Sequence, residues 1–173
     1  MLKLERDPSA PDVVRYTSGF GFMIASSGMA PIAPPWSSLT AYDLNQGTIM
    51  WKLPLGDVPE LAAKGIHNTG SHYPKVGPVV TATGLIFTGT RDKEIRALDV
   101  NDGKVLWEKE LDANPEGIPA VYEAGGREYI AFCTRAGRVF DNIGTESIAW
   151  SPGKPEAAGY YVFALPKLKG ETK

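Results

Sequence analysis

The residues of this 173-residue chain with the most chemical scope fall in three groups. The first is His67, Asn68, His72, Tyr73 and Lys75. Two imidazoles five residues apart do not make a metal site alone, because zinc asks for three or four protein ligands and the neighbours supply no third. No metal site is predicted, and His72 is read as a loop residue lending polarity to a ligand face. The second group is Arg135, Arg138, Asp141, Asn142, Glu146 and Trp150. A guanidinium matches the two oxygens of a carboxylate, so Arg135 and Arg138 are substrate-side candidates. The third is Pro34-Pro35-Trp36, where two prolines hold an indole as a hydrophobic plug or as a wall for a planar ligand. Asp57, Glu60, Asp141 and Glu146 have the chemistry of a general base. None has a fixed partner in the sequence, so no catalytic residue is assigned. Cys133 ends a run that reads as a buried strand and is expected to be an inert core residue.

These side chains sit between repeated elements. Ala41-Tyr42-Asp43-Leu44-Asn45-Gln46-Gly47-Thr48-Ile49-Met50-Trp51-Lys52-Leu53-Pro54-Leu55 recurs 56 residues later as Ala97-Leu98-Asp99-Val100-Asn101-Asp102-Gly103-Lys104-Val105-Leu106-Trp107-Glu108-Lys109-Glu110-Leu111. A third, partial copy is Tyr161-Val162-Phe163-Ala164-Leu165-Pro166. Each full copy places β-formers on either side of an Asp-to-Gly turn, in which Asp bonds nearby backbone and Gly accepts positive φ. Each is therefore a predicted hairpin whose Trp packs on a neighbouring unit, which makes Asp43, Asp99, Trp51 and Trp107 structural. Adding the strands before each hairpin gives the order 19–25, 38–43, 48–54, then 76–81, 85–90, 94–99, 104–111, then 118–123, 128–133, 160–165. Apart from a turn at Val58–Lys64, no segment has helical periodicity. Four-stranded antiparallel meanders at this period make an all-β chain with the architecture of a β-propeller. The expected blades are about 12–55, about 76–111 and an incomplete one at about 117–166.

In such meanders successive turns alternate between the two ends. The long connections, 26–37, 55–75 and 134–159, then all project from one end, and they carry the three groups above. Connections of this length on a rigid scaffold build binding surfaces. Mixed polar groups with several aromatics suit a planar or sugar-like ligand.

Composition narrows the classes. Gly (19) and Pro (14) are abundant but spread between hydrophobic runs, which fits turns and excludes collagen and low complexity. Lys and Arg number 18 against 20 Asp and Glu, so nucleic acid is excluded as a partner for want of a basic footprint. A single cysteine forms no internal disulfide and no cysteine-based zinc site. No run approaches the roughly 20 apolar residues of a transmembrane helix, and Met1-Leu2-Lys3-Leu4-Glu5-Arg6-Asp7 lacks the apolar stretch of a signal peptide.

The Ala-x-Asp-x-x-x-Gly-x-x-x-Trp unit resembles the tryptophan-docking motif of quinoprotein dehydrogenases, eight-bladed propellers that use pyrroloquinoline quinone (PQQ). The segments Ala33-Pro34-Pro35-Trp36-Ser37-Ser38-Leu39-Thr40-Ala41-Tyr42-Asp43, Asn68-Thr69-Gly70 and Gly77-Pro78-Val79-Val80-Thr81-Ala82-Thr83-Gly84-Leu85-Ile86-Phe87-Thr88-Gly89-Thr90 are similar to the C-terminal part of the membrane-bound glucose/quinate type. The resemblance covers roughly residues 17–166. It implies oxidation of a sugar or alcohol by PQQ over Ca²⁺, with electrons passing to ubiquinone or a cytochrome in the periplasm. It implies that the catalytic Asp and most calcium ligands lie in earlier blades. Trp36 matches the family's Pro-x-Trp loop and is carried over as a cofactor-site residue. After the last long strand the family has a Gly-Gly-rich segment, often with a substrate-side His. Phe132-Cys133-Thr134-Arg135-Ala136-Gly137-Arg138 stands there instead, which turns the expectation from glucose toward an acidic or otherwise different polyol.

At about 56 residues per blade, this length falls short of the 4–8 blades of a closed propeller. The chain is expected to be a C-terminal segment of a PQQ-dependent dehydrogenase, inactive and without bound PQQ or Ca²⁺ on its own. Its exposed blade edges would pair with the parent's remaining blades or with further copies. The alternative is a non-catalytic scaffold of PQQ-like repeats for protein–protein interaction. That alternative needs no Pro-Pro-Trp loop.

Overall fold

The computed structural model describes residues 4–6, 8–9, 16–18, 25, 29–72, 75–135 and 158–164. The strand expected at 19–25, apart from residue 25, lies outside them, as do Tyr73, Arg138, Asp141, Asn142, Glu146 and Trp150.

Eleven described strands form four antiparallel sheets. β1 (Leu4–Arg6) pairs with β2 (Tyr16–Ser18), and β3 (Ser38–Asp43) with β4 (Thr48–Pro54). β5 (Val79–Val80), β6 (Leu85–Gly89), β7 (Glu94–Asp99) and β8 (Val105–Glu110) form a four-stranded meander in chain order. β9 (Asn114–Ala124), β10 (Arg127–Arg135) and β11 (Gly159–Ala164) form a three-stranded sheet with β10 in the middle. The one described helix, α1 (Pro59–Ala62), is a single turn with proline at its start, within the turn expected at 58–64.

The repeated hairpins repeat in detail. The Asp43 carboxylate accepts from the backbone N–H groups of Asn45 (2.8 Å) and Gln46 (3.1 Å), and Asp99 accepts from that of Asn101 (2.8 Å). Gly47 and Gly103 close the turns at φ 68° and 73°. Both hairpins also carry a bulge at the same place. Ala41 faces Trp51 while Tyr42 faces Ile49, and Ala97 faces Trp107 while Leu98 faces Val105. The unpaired residues are Met50 and Leu106, and a bulge of this kind re-aims the following side chain. In both copies that side chain is the tryptophan.

The tryptophans join one sheet to the next. Trp51 Nε1 donates to the Val100 carbonyl (3.0 Å) in the following hairpin's turn. Its ring lies so close to Gly103 that a Cβ there would stand 3.1 Å from it. Trp107 meets Phe163 of the third copy edge-on, with centroids 5.5 Å apart. The main core lies between the second and third repeats: Ile95, Leu111, Ile130 and Phe132, with Val79, Phe87, Val121, Tyr161 and Phe163 packed against them. Each such fully buried side chain contributes about 1.5–3 kcal/mol.

Three expectations change. The strand expected at 76–81 reduces to β5, with Val76 making only an isolated parallel bridge to Gly117. The strand expected from 118 begins at Asn114, because the bulge in the β9–β10 pairing lets Pro115 and Glu116 continue opposite Thr134 and Cys133. Cys133 is exposed rather than core: in β10 the buried residues are Ile130, Phe132 and Thr134, and strand alternation turns Cys133 the other way.

Candidate cofactor and substrate face

The segment 29–37 and the connection after β4 are stitched together by backbone. Trp36 N–H donates to the Thr69 carbonyl (2.8 Å), Leu55 N–H to that of Ser37 (3.1 Å), and Ser71 N–H to that of Leu55 (2.8 Å). Ser37 Oγ donates back to the Leu55 carbonyl (2.8 Å). The Asn68-Thr69-Gly70 run makes this possible residue by residue. Asn68 takes a left-handed φ of 61°, which Asn tolerates best among residues with a Cβ. Thr69 is pinned by Asp57 Oδ1, which accepts from its N–H (2.8 Å) and hydroxyl (3.1 Å). Gly70, at φ 67°, lies against the other segment, and a Cβ there would sit 2.5 Å from the backbone N and O of Ser37.

This frame fixes Trp36. Its indole N–H donates to the Ile32 carbonyl (2.8 Å), and its ring meets the His72 imidazole edge-on with centroids 4.2 Å apart. The half-buried indole is thus held at its backbone, its nitrogen and one edge. His72 is 6% exposed, and burial lowers its pKa, opposed in part by the nearby Glu60 charge. Burial thus favours its neutral imidazole over the cation. His67 is elsewhere in role: 60% exposed at its side chain, its Nδ1 stands 3.3 Å from Asp57 Oδ2. The two histidines therefore do different work. Among the described residues no group of three His, Cys, Asp or Glu side chains is placed to hold a metal ion.

The turn between β6 and β7 joins the same face. Arg91 N–H donates to Ser71 Oγ (3.0 Å), and Asp57 N–H to Asp92 Oδ2 (3.0 Å). Arg96 braces this turn from β7, donating to Asp92 Oδ2 (2.9 Å), to Thr90 Oγ1 (2.6 Å) and to Glu94. Burial disfavours the Arg96 cation, but its hydrogen bond and charge pairing with Asp92 outweigh that, and its pKa rises. From the turn, the Arg91 guanidinium reaches Glu116 at 3.7 Å, and Arg135, at the end of β10, reaches the other Glu116 oxygen at 3.9 Å. Burial pulls the Arg91 pKa down to about 10; Glu116 opposes the shift and Arg135 adds to it.

Trp36, His72 and Arg135 thus belong to one continuous set of contacts. Arg138 lies outside the described residues. Lys75 contributes its backbone carbonyl, which accepts from Gly117 N–H (2.8 Å). Arg91, Asp92 and Glu116 were not anticipated. The alternation of turns already assigns Thr90-Arg91-Asp92-Lys93 to this end, but a four-residue turn draws less notice than a long loop.

Residues 3–130 match the family described as PQQ, glucose/ethanol/alcohol dehydrogenase, beta-propeller domain. The chain is 35% identical to the glycerol dehydrogenase large subunit of Gluconobacter oxydans (strain 621H), over 83% of this chain and 19% of that one. It is 31% identical to a probable quinate dehydrogenase (quinone) of Xanthomonas campestris pv. juglandis, over 74% of this chain and 17% of that one. Its fold is similar to a quinohemoprotein alcohol dehydrogenase from Pseudomonas putida HK5, with TM-score 0.57 and 20% identity, covering 98% of this chain and 24% of that one. The chain spans about a fifth or less of the length of the curated relatives it matches. Its sheets are those of a partial β-propeller, docked through repeated tryptophans, and the chain belongs to the family of PQQ-dependent dehydrogenase β-propellers.

Proposed function

We propose that this chain supplies part of the cofactor and substrate wall of a PQQ-dependent dehydrogenase acting on alcohols or polyols, of the membrane-bound glucose/quinate type. The observation that carries the reading is the fixed indole of Trp36, held by Ile32, Thr69 and His72. PQQ is planar and bears three carboxylates. A half-buried, immobilised indole offers it a flat apolar surface, and the Arg91 and Arg135 guanidiniums lie in the same set of contacts. Those residues fit the cofactor's shape and charge. Among the described residues no set of three acidic, histidine or cysteine side chains is placed to hold Ca²⁺, so the ligands of the ion would come from other blades.

PQQ held against this wall would supply the two-electron acceptor that oxidation of an alcohol needs. This chain's residues would orient rather than react. Trp36 walls one side of the site. His72, neutral and buried against it, keeps that wall dry and uncharged near the reacting carbon. The turn at 90–93 sets the charged rim. In this reading the parent protein is periplasmic and hands electrons to ubiquinone or a cytochrome. Its remaining blades, or further copies, cover apolar side chains exposed here, such as Ile49, Met50, Ile118 and Tyr160. The 173 residues alone are then inactive.

The test is alcohol-dependent reduction of an artificial electron acceptor by the full-length gene product. Turnover that requires both added PQQ and Ca²⁺ supports the reading. Turnover independent of PQQ, or none with any alcohol or polyol, contradicts it.

A further inference from the structure

We propose that His67 and Asp57 form a proton relay at the rim of this face, in which the imidazole carries protons released by substrate oxidation out to solvent. The relay rests on the dehydrogenase reading for its reaction, and on geometry for the pair itself.

Asp57 uses both of its carboxylate oxygens. Oδ1 accepts from the Thr69 N–H (2.8 Å) and hydroxyl (3.1 Å), and Oδ2 stands 3.3 Å from His67 Nδ1. An ionised carboxylate only accepts, so the hydrogen of the neutral imidazole sits on Nδ1 and the free lone pair on Nε2. The Asp57 side chain is 25% exposed and that of His67 60%. The anion is thus set into the frame while the ring it orients stands in solvent, where Nε2 can take a proton and give it up to buffer. The anchor is fixed from its backbone as well, since Asp57 N–H donates to Asp92 Oδ2 (3.0 Å). Asn68, at φ 61°, turns the chain so that its two neighbours, His67 and Thr69, meet the same carboxylate. His72, at 6% exposed, lacks this access to solvent.

One residue joins the pair to the indole wall: Thr69, bonded to Asp57, accepts at its carbonyl from the Trp36 N–H (2.8 Å). Oxidation of an alcohol carbon to a carbonyl releases two electrons and two protons. A one-electron acceptor such as a cytochrome takes electrons alone, so both protons then have to reach solvent. His67 handles protons already released. Its Nε2 takes one, the Asp57 carboxylate balances the charge of the resulting imidazolium, and buffer removes the proton before the next is taken. Asp57 is a positioning residue in this scheme, acting through the tautomer it imposes on the ring.

Two variants of the full-length gene product separate the roles, with melting temperatures to check their folds. His67→Gln keeps a donor for Asp57 but cannot take up a proton. Asp57→Asn keeps its oxygen on Thr69 and turns an NH₂ group toward Nδ1, so the ring hydrogen moves to Nε2 and the acceptor is lost. The first readout needs no cofactor: NMR of the imidazole nitrogens in mildly alkaline buffer, with the His67 signals identified by their absence from His67→Gln. The wild type should hold the Nδ1–H tautomer and Asp57→Asn the Nε2–H tautomer. An Nε2–H tautomer in the wild type would overturn the proposal. The second readout is alcohol-dependent reduction of a one-electron acceptor in dilute buffer. Both variants should lose at least about tenfold in kcat with KM unchanged, and added imidazole should restore most of the loss while leaving the wild type unaffected. A loss that imidazole does not restore, or a kcat within about twofold of wild type in His67→Gln, would overturn the relay. Absence of alcohol oxidation by the wild type itself contradicts the dehydrogenase reading, whereas an unimpaired His67→Gln beside an active wild type contradicts the relay alone.

Discussion

Gly70 shows how a single residue positions the site. Its positive φ and its contact with Ser37 backbone are separate demands, and Gly47 isolates the first of them. Gly47 has a similar φ of 68°, and a Cβ there would meet nothing within 4 Å. Gly47→Ala should therefore cost only the left-handed backbone term, about 1 kcal/mol. Gly70→Ala adds a collision with backbone that cannot swing aside, and should cost about 2–4 kcal/mol while loosening Trp36. Urea unfolding of the two variants checks this, and equal costs would show that the two segments are not held together at Gly70. At this scale the sequence was only partly legible. Trp36, His72 and Arg135 stood out by side-chain type. Glu116 did not, because the strand was expected to begin only at residue 118. Arg91 did not, because its value to the site comes from burial against Glu116, a contact between residues 25 apart.

The hairpins were the most legible elements. β3, β4 and β7 have the limits the repeat implies, since the Asp and Gly of each turn set where the strands must stop. What the repeat did not disclose is the shared bulge at Met50 and Leu106, since one unpaired residue leaves no mark on composition. That bulge aims the tryptophans, and the two dock differently. Trp51 adds a hydrogen bond to the Val100 carbonyl, whereas Trp107 relies on its ring against Phe163. Trp51→Phe should cost about 1 kcal/mol for the lost bond, and Trp107→Phe, which keeps an aromatic ring at Phe163, distinctly less. Equal costs in chemical denaturation would mean that the Val100 bond does not contribute to docking. The Cys133 expectation failed for an elementary reason. Period-two alternation places Cys133 opposite in sense to Phe132 and Thr134, and a run of apolar residues hid that phase.

At the scale of the whole molecule, the partial propeller and the family go with the same feature, a docking hairpin whose tryptophan at position 51 recurs 56 residues later at position 107. The propeller geometry brings turns from several sheets to one end, and that is why Trp36, His72, Arg91, Glu116 and Arg135, distant in sequence, share one set of contacts. The central claim is that this end forms a wall of the PQQ site. It is tested most directly by titrating the full-length gene product with PQQ, as wild type and as Trp36→Ala, with circular dichroism to verify the fold of each. Loss of a stacked indole is worth about 0.5–1.5 kcal/mol, so Trp36→Ala should weaken PQQ binding about three- to tenfold with the fold retained. PQQ affinity unchanged in a folded Trp36→Ala variant would contradict the account.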